Sequence, residues 1–378
     1  MDFTKVAEAL EGNLLAPIPL CFALGIFCKL IHGGIKIPKE LYYSISIFLL
    51  MGIGFIGGHE LAEQVEKLGF ASIVKPGLAT LFMGCVTPIT AFVILYTIGR
   101  FNAADSAGIA AHYGSTSAVT FAVAQTFAQA QLGKLNVDGI EGFDKANMDG
   151  YLQTLVTILE CPGIAIALAI GAAMMSKKAA NNGDTEGAGD ILHKEGNIKE
   201  ALYEVITGQS IMLMAGMLII GYIASVFADV KIIDGKHTQP GLQPFIDFFY
   251  AKGMIFRGAL CIFLLEMGLV AGERLADLKK AGAFLIAFGI LWPIAHGALA
   301  AWIGSMAGMK LGTTAVFAAI VSSASYIAAP PAVRLTLPEA NPTLSITASL
   351  AITFPFNIAF GIPLYFEIAK SLVPVVTP

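Results

Sequence analysis

The sequence predicts an all-α integral membrane protein of about ten transmembrane helices, arranged as two inverted five-helix repeats with discontinuous, crossed helices four and nine. Three observations lead there. The 378 residues are 56% hydrophobic and only 13% charged, about half the charged load of a soluble domain, and the mean hydropathy is +0.74. Ten apolar stretches run along the chain, each near the roughly 20 residues that cross a bilayer. Two of them, in matching positions, carry polar interruptions that lipid tolerates only where the backbone is buried in protein or lines a wet cavity. Glycine (40 residues) is abundant, as in membrane helices generally. The net charge of −4 is too mild to argue for nucleic acid or an acidic partner.

The ten predicted spans are about 14–31, 41–58, 77–98, 106–132, 151–175, 206–228, 256–272, 283–305, 311–333 and 344–367. The stretch 77–98 has no charged residue, and 106–132 and 311–333 have none apart from His112. Met1 to Asn13 is acidic and polar and lacks the basic region of a secretory signal, so no cleaved peptide is expected. The longest polar stretch lies in the middle, 176–204, with Lys177, Lys178, Asp184, Glu186, Asp190 and Lys194. It reads as a cytoplasmic polar linker, partly disordered by composition. It separates a first repeat, 1–175, from a second, 205–378, with five spans in each. Lys177 and Lys178 after span five, Lys36 and Lys39 in a short loop, and Arg274, Lys279 and Lys280 after span seven favour both termini outside. Cys21, Cys28, Cys85, Cys161 and Cys261 lie in or beside apolar runs without CxxC spacing, and read as small buried hydrophobes.

The halves resemble each other. Ile47-Phe48-Leu49-Leu50-Met51-Gly52 and Gly58-His59-Glu60-Leu61-Ala62-Glu63 answer to Ile262-Phe263-Leu264-Leu265-Glu266-Met267-Gly268 and Gly272-Glu273-Arg274-Leu275-Ala276-Asp277. Ile262 follows Ile47 by 215 residues, and Leu275 follows Leu61 by 214. One span later, Gly84 and Pro88-Ile89 match Gly289 and Pro293-Ile294, each 205 apart. An odd number of spans per half forces the second half to run inverted, the pattern of secondary transporters.

Span four contains His112-Tyr113-Gly114-Ser115-Thr116-Ser117, and span nine contains Ser322-Ser323-Ala324-Ser325-Tyr326-Ile327-Ala328-Ala329-Pro330-Pro331. Helix interiors reject a proline pair, whereas the first turn of a new helix accepts proline. Span nine is therefore expected to stop near Ser325 and restart near Pro330, with Gly114 permitting a similar gap in span four. Freed N–H groups and half-helix N-termini make an anion site. The hydroxyls can donate to an oxyanion, give oxygen to sodium, or simply satisfy backbone and pack helices.

Glu160, just before Cys161-Pro162, puts a carboxylate inside span five, a costly placement and a functional candidate by default. It either helps hold a sodium ion, titrates with a proton, or bonds the backbone freed by Pro162. Asn357 in span ten offers another hard oxygen. Glu266 fits a helix contact, and His112 and His296 fit structural hydrogen bonding. Arg334, soon after the proline pair, either attracts an anion or anchors a helix end. His59-Glu60-Leu61-Ala62-Glu63 begins like a zinc-protease helix but has Glu where the second histidine belongs, and no GxxxxGK[ST] or GxSxG occurs. No enzyme activity and no cofactor are expected.

The chain resembles the sodium-dependent bicarbonate transporter family, cyanobacterial-type with its wider bacterial relatives. The run Ser322 to Arg334 followed by Leu337-Pro338-Glu339-Ala340-Asn341-Pro342 carries the resemblance, together with Gly114-Ser115-Thr116 and with Glu160 two places before Pro162. The resemblance implies sodium symport of bicarbonate into the cell by a homotrimer in the bacterial inner (plasma) membrane. It also implies a PII-like regulatory protein at the cytoplasmic face, at least in cyanobacterial members. On this reading Gly114, Ser115, Ser117, Ser323, Ser325, Tyr326, Ile327, Ala328 and Ala329 hold the anion, and Thr116, Glu160, Ser322 and Asn357 hold the coupling sodium ion. Two positions depart from the family pattern. Tyr326 stands where the family has an acidic residue, and Ala328 where it has glycine or a small polar residue. A sodium- or proton-coupled carrier of another small anion, carboxylate or inorganic, is the alternative.

Overall fold

The computed structural model describes residues 15–377 apart from 137, 141, 161, 182–199, 201–202, 229–230, 234–235 and 251–252. The first half holds α1 (Pro17–Leu30), α2 (Lys39–Leu68), α3 (Ala71–Val93, extended by a π turn Ile94–Ile98), α4 (Ala103–Tyr113), α5 (Ala118–Leu135), α6 (Phe143–Asn147), α7 (Leu152–Leu159) and α8 (Pro162–Asn181). The second holds α9 (Gln209–Val226), a hairpin of β1 (Lys231–Ile233) and β2 (Lys236–Thr238), α10 (Gln243–Phe249), α11 (Met254–Arg274), α12 (Leu278–Met306), α13 (Leu311–Val321), α14 (Ala329–Thr336) and α15 (Pro342–Leu372).

Among the described residues, seven helical stretches are long and apolar enough to cross a membrane by length and composition: Lys39–Leu68, Ala71–Ile98, Leu152–Lys177, Gln209–Val226, Gln243–Asp277, Ala281–Met306 and Pro342–Leu372. The apolar helices α1 and α13 are shorter. The expected fourth span is divided into α4 and α5, and the ninth into α13 and α14. Exposed side chains point the same way. Leu78, Phe82 and Val93 on α3, and Ile219, Ile220 and Ile223 on α9, all face outward. A surface that apolar suits acyl chains, whereas a soluble monomer rarely shows so large an apolar patch.

Two boundaries and one added hairpin differ from the sequence expectation. Span two continues ten residues past 58, because His59, Glu63 and Lys67 lie at helical spacing, with His59 Nε2 3.5 Å and Lys67 Nζ 3.4 Å from Glu63 carboxylate oxygens. α8 runs on to Asn181, through alanines and lysines that favour helix, so it covers the first part of the expected linker. The rest of that linker at 182–199, with Met1 to Asn13 and Cys161, lies outside the described residues. The hairpin departs from a purely helical expectation. Its strands pair antiparallel, Lys231 opposite Thr238.

Four helices form one body. α1 packs along α11 and α2 along α9, and glycines set the spacing. A Cβ on Gly58 would stand 2.0 Å from the Leu218 carbonyl oxygen, and one on Gly268 2.1 Å from that of Phe22. Gly54 and Gly58 of α2, and Gly268 and Gly272 of α11, each repeat at four residues, the small-xxx-small pattern that lets membrane helices touch backbone to backbone. A second body gathers α3, α4, α5, α8 and α12 to α15, with α4 on α8 and α13 against α5, α12 and α15. Phe121, Phe317, Phe354 and Tyr365 fill its interior.

Candidate functional site

α4 stops at Tyr113 and α5 starts at Ala118, leaving Gly114 to Ser117 outside both helices. α8 crosses there. A Cβ on Gly163 would lie 1.9 Å from the Gly114 carbonyl oxygen, and one on Gly114 2.8 Å from the Gly163 carbonyl. Only a glycine on each side allows that approach. Ser117 is extended (φ −107°, ψ 112°) and caps α5, its Oγ accepting from the Thr120 N–H at 3.2 Å. The second gap runs from Ser322 to Ala328. Pro330 and Pro331 fall in the first turn of α14, where the missing N–H groups have no helical partner to lose.

The two gaps are stitched together. The Ser325 N–H donates to the His112 carbonyl at 2.7 Å, and His112 Nδ1 donates back to the Ser325 carbonyl at 2.7 Å. A carbonyl only accepts, so Nδ1 carries the proton. The Ser117 N–H donates to Ser323 Oγ at 2.9 Å, and that hydroxyl donates to the Ile320 carbonyl at 2.7 Å. Thr116 Oγ1 lies 3.3 Å from both Ser323 Oγ and the Ile320 carbonyl. Glu160, 2% exposed, accepts from the Ser115 hydroxyl at 3.2 Å and forms no ion pair among the described residues.

A cavity of about 40 Å³ sits between the two bodies, larger than the roughly 10–15 Å³ one water needs. Its polar side is Thr116, Ser117, Glu160, Ser325, Tyr326 and Ala328, with Ile327 beside them. Its apolar side is Leu49, Leu50 and Ile53 of α2 with Phe263 of α11; Ala118, Val119 and Ala122 of α5, with Ser46 and Ser210, complete the lining. Among the described residues the Tyr326 hydroxyl lies against the Ser117 side chain, and neither the Tyr326 nor the Ile327 N–H makes a hydrogen bond. Such unpaired amides beside a cavity are free to hydrogen-bond a guest. Two wider cavities lie elsewhere in the molecule. One of about 210 Å³, at the head of α9 by Glu204 and Gln209, shares Ser210, Ile327 and Ala328 with the central one. The other, about 300 Å³, is lined by Glu60, Glu63, Lys67, Asp144, Asp149 and Lys310.

The residues expected from the sequence therefore separate into two groups. Ser117, Ser325, Tyr326, Ile327, Ala328, Thr116 and Glu160 meet at the cavity, while Gly114, Ser115, Ser323, Ala329, Ser322 and Asn357 do not line it. Ser322 Oγ donates to the Ala319 carbonyl at 2.9 Å. Asn357 is occupied too: Nδ2 donates to the Ser322 carbonyl at 3.0 Å and Oδ1 accepts from the Tyr365 hydroxyl at 3.1 Å. His296 Nε2 lies 2.9 Å from Thr90 Oγ1, with its ring stacked on Trp292 at 4.1 Å. Gly163 and the α2 and α11 wall were missed by sequence reasoning. Gly163 had a signal, a glycine directly after the Glu160-Cys161-Pro162 run; the apolar wall had none.

Fold and site first define a class: a multi-pass membrane protein with a polar cavity held between two helical bodies. A model of the Na+-dependent bicarbonate transporter superfamily matches residues 17–370, and the chain belongs to that superfamily. No curated protein matches the chain.

Proposed function

We propose that this chain carries bicarbonate with sodium into the cell by alternating access, one helical body moving against the other. The observation that carries the reading is the crossing of two helix gaps at one cavity, with hydroxyls and unpaired amides on one wall and apolar side chains on the other. Ser117, Ser325 and Tyr326, with the N–H groups of Tyr326 and Ile327, hold the anion in this reading. Thr116 and Glu160 supply the sodium oxygens that face the cavity, and Ser322, Ser323 and Asn357 hold the gap in shape behind them. Membrane carriers place anions at half-helix N-termini and sodium among backbone and side-chain oxygens in this manner.

The ten-span, inverted-repeat organisation is part of the proposal. Its support is reciprocal packing: the first helix of each half lies along the second helix of the other. Gly54 and Gly58 recur as Gly268 and Gly272 after 214 residues, the offset of the second block of the sequence repeat. Repeats 1–175 and 205–378, a homotrimer, a bacterial plasma-membrane location and a PII-like regulator at the cytoplasmic side complete the reading.

The test is uptake of labelled bicarbonate by proteoliposomes, with and without an inward sodium gradient. Gradient-driven accumulation is expected, and its absence eliminates the proposal. Glu160→Gln is expected to lower sodium dependence at least about tenfold, since a charged ligand is removed from a buried site. Wild-type sodium dependence in that variant removes Glu160 from the cation site. A carrier of another small anion is favoured by one observation, the phenol of Tyr326 in the cavity, and competition by carboxylates in the same assay selects it.

A further inference from the structure

A fourth cavity, of about 230 Å³, opens on the other side of the His112–Ser325 pair. Its wall includes His112, Pro330, Arg334, Pro338, Ser345 and Ile346. Three of these have unused hydrogen-bonding capacity. Arg334 is exposed and forms no ion pair or hydrogen bond among the described residues, so its guanidinium fork is open for an anion. Ser345 is 1% exposed, and its hydroxyl has no partner among the described residues. A buried hydroxyl left unpaired carries a free-energy cost that a ligand can relieve. His112 has committed Nδ1–H to the Ser325 carbonyl, which leaves Nε2 as a lone-pair acceptor in the neutral ring.

We propose that this cavity is a second anion site, built for a small oxyanion that still carries a hydroxyl, such as hydrogen phosphate. Two donors, Arg334 and Ser345, take the charged oxygens, and His112 Nε2 accepts the ligand's remaining O–H. Chloride or fully deprotonated sulfate satisfies the donors and leaves Nε2 without a partner. The site stands apart from the transport cavity but touches it. His112 lines the new cavity, Ser325 lines the central one, and two 2.7 Å hydrogen bonds join them. An occupant here therefore bears directly on the pair that holds the two helix gaps together.

The chemistry is available from a free solute or from the headgroup of a hydroxyl-bearing anionic lipid, and binding distinguishes them without any flux. The full chain is placed in phosphatidylcholine nanodiscs and titrated with labelled inorganic phosphate. Saturable binding is expected, weakened about tenfold or more by Arg334→Gln, severalfold by Ser345→Ala, and displaced at least fivefold less well by sulfate than by unlabelled phosphate. In phosphatidylglycerol nanodiscs, unchanged binding assigns the site to a free solute, and Arg334-dependent competition assigns it to the lipid headgroup. Phosphate binding equal in wild type and Arg334→Gln, with no Arg334-dependent effect of phosphatidylglycerol on thermal stability, overturns the proposal. Equal affinity for sulfate overturns it as well. So does binding that survives Arg334→Gln and disappears in Ile53→Trp, which fills the central cavity.

Discussion

Gly163→Ala will prevent α8 from seating against the first helix gap, and the folded protein will be lost or strongly destabilised. The added Cβ would stand 1.9 Å from the Gly114 carbonyl oxygen, and the obstacle is backbone, with no side chain to swing aside. Overpacking against movable side chains costs about 1–3 kcal/mol, and a fixed backbone puts this change at or above the upper end. The shift also moves Glu160, three residues earlier, from the Ser115 hydroxyl that it meets at 3.2 Å. Gly77→Ala is the control. Nothing lies within 4 Å of its Cβ position, and it sits inside α3, where alanine is the better helix residue by about 0.5–1 kcal/mol. Thermal unfolding in detergent should separate the two variants by many degrees. Similar midpoints would mean that the Gly114–Gly163 contact is not the one that sets the gap.

Ser323→Ala is the second large effect, and it acts on transport more than on folding. Its hydroxyl accepts from the Ser117 N–H and donates to the Ile320 carbonyl, tying one gap to the other at full burial. Removing it leaves the Ser117 amide buried without an acceptor, a penalty of about 1–3 kcal/mol. Ser117 and Thr116 both face the cavity, so the proposed anion and cation ligands lose their common anchor, and uptake should fall by roughly tenfold or more. Ser322→Ala, one residue earlier, removes a bond to its own helix at the Ala319 carbonyl and a contact with the Tyr365 hydroxyl, which keeps Asn357 as its partner. That change should cost about 1 kcal/mol or less. Uptake rates of the two variants in matched proteoliposomes check the contrast, and a larger loss in Ser322→Ala would move the anchor to the wrong residue.

The helix gaps were legible because they rest on local backbone chemistry. Pro330 and Pro331 cannot continue a helix, and the sequence placed the restart at Pro330, one residue after the observed start of α14 at Ala329. The stop came earlier than expected, at Val321 instead of near Ser325. Serine has no strong intrinsic stop signal, and the partner that pulls Ser325 out of the helix, His112, is 213 residues away. Composition alone exposed the membrane character. Side-chain direction was not legible. Ser322 and Asn357 look like oxygen ligands in the sequence, yet they hydrogen-bond helix ends within the second body. The wall made by Leu49, Leu50, Ile53 and Phe263 carries no motif at all, because any apolar membrane helix would read the same. Gly58 and Gly272 stood in matching blocks of the repeat, but their use, close contact between α2 and α9 and between α11 and α1, depends on pairings that one sequence does not display.

The central claim is that the crossed gaps enclose the transported anion. The most direct measurement is an electron cryo-microscopy map of the full chain saturated with bicarbonate and sodium, compared with one recorded without either. The account predicts new density in the cavity between Ser117, Ser325 and the Tyr326 and Ile327 amides, with a second feature beside Thr116 and Glu160. Density that appears elsewhere while this cavity stays unchanged would contradict it.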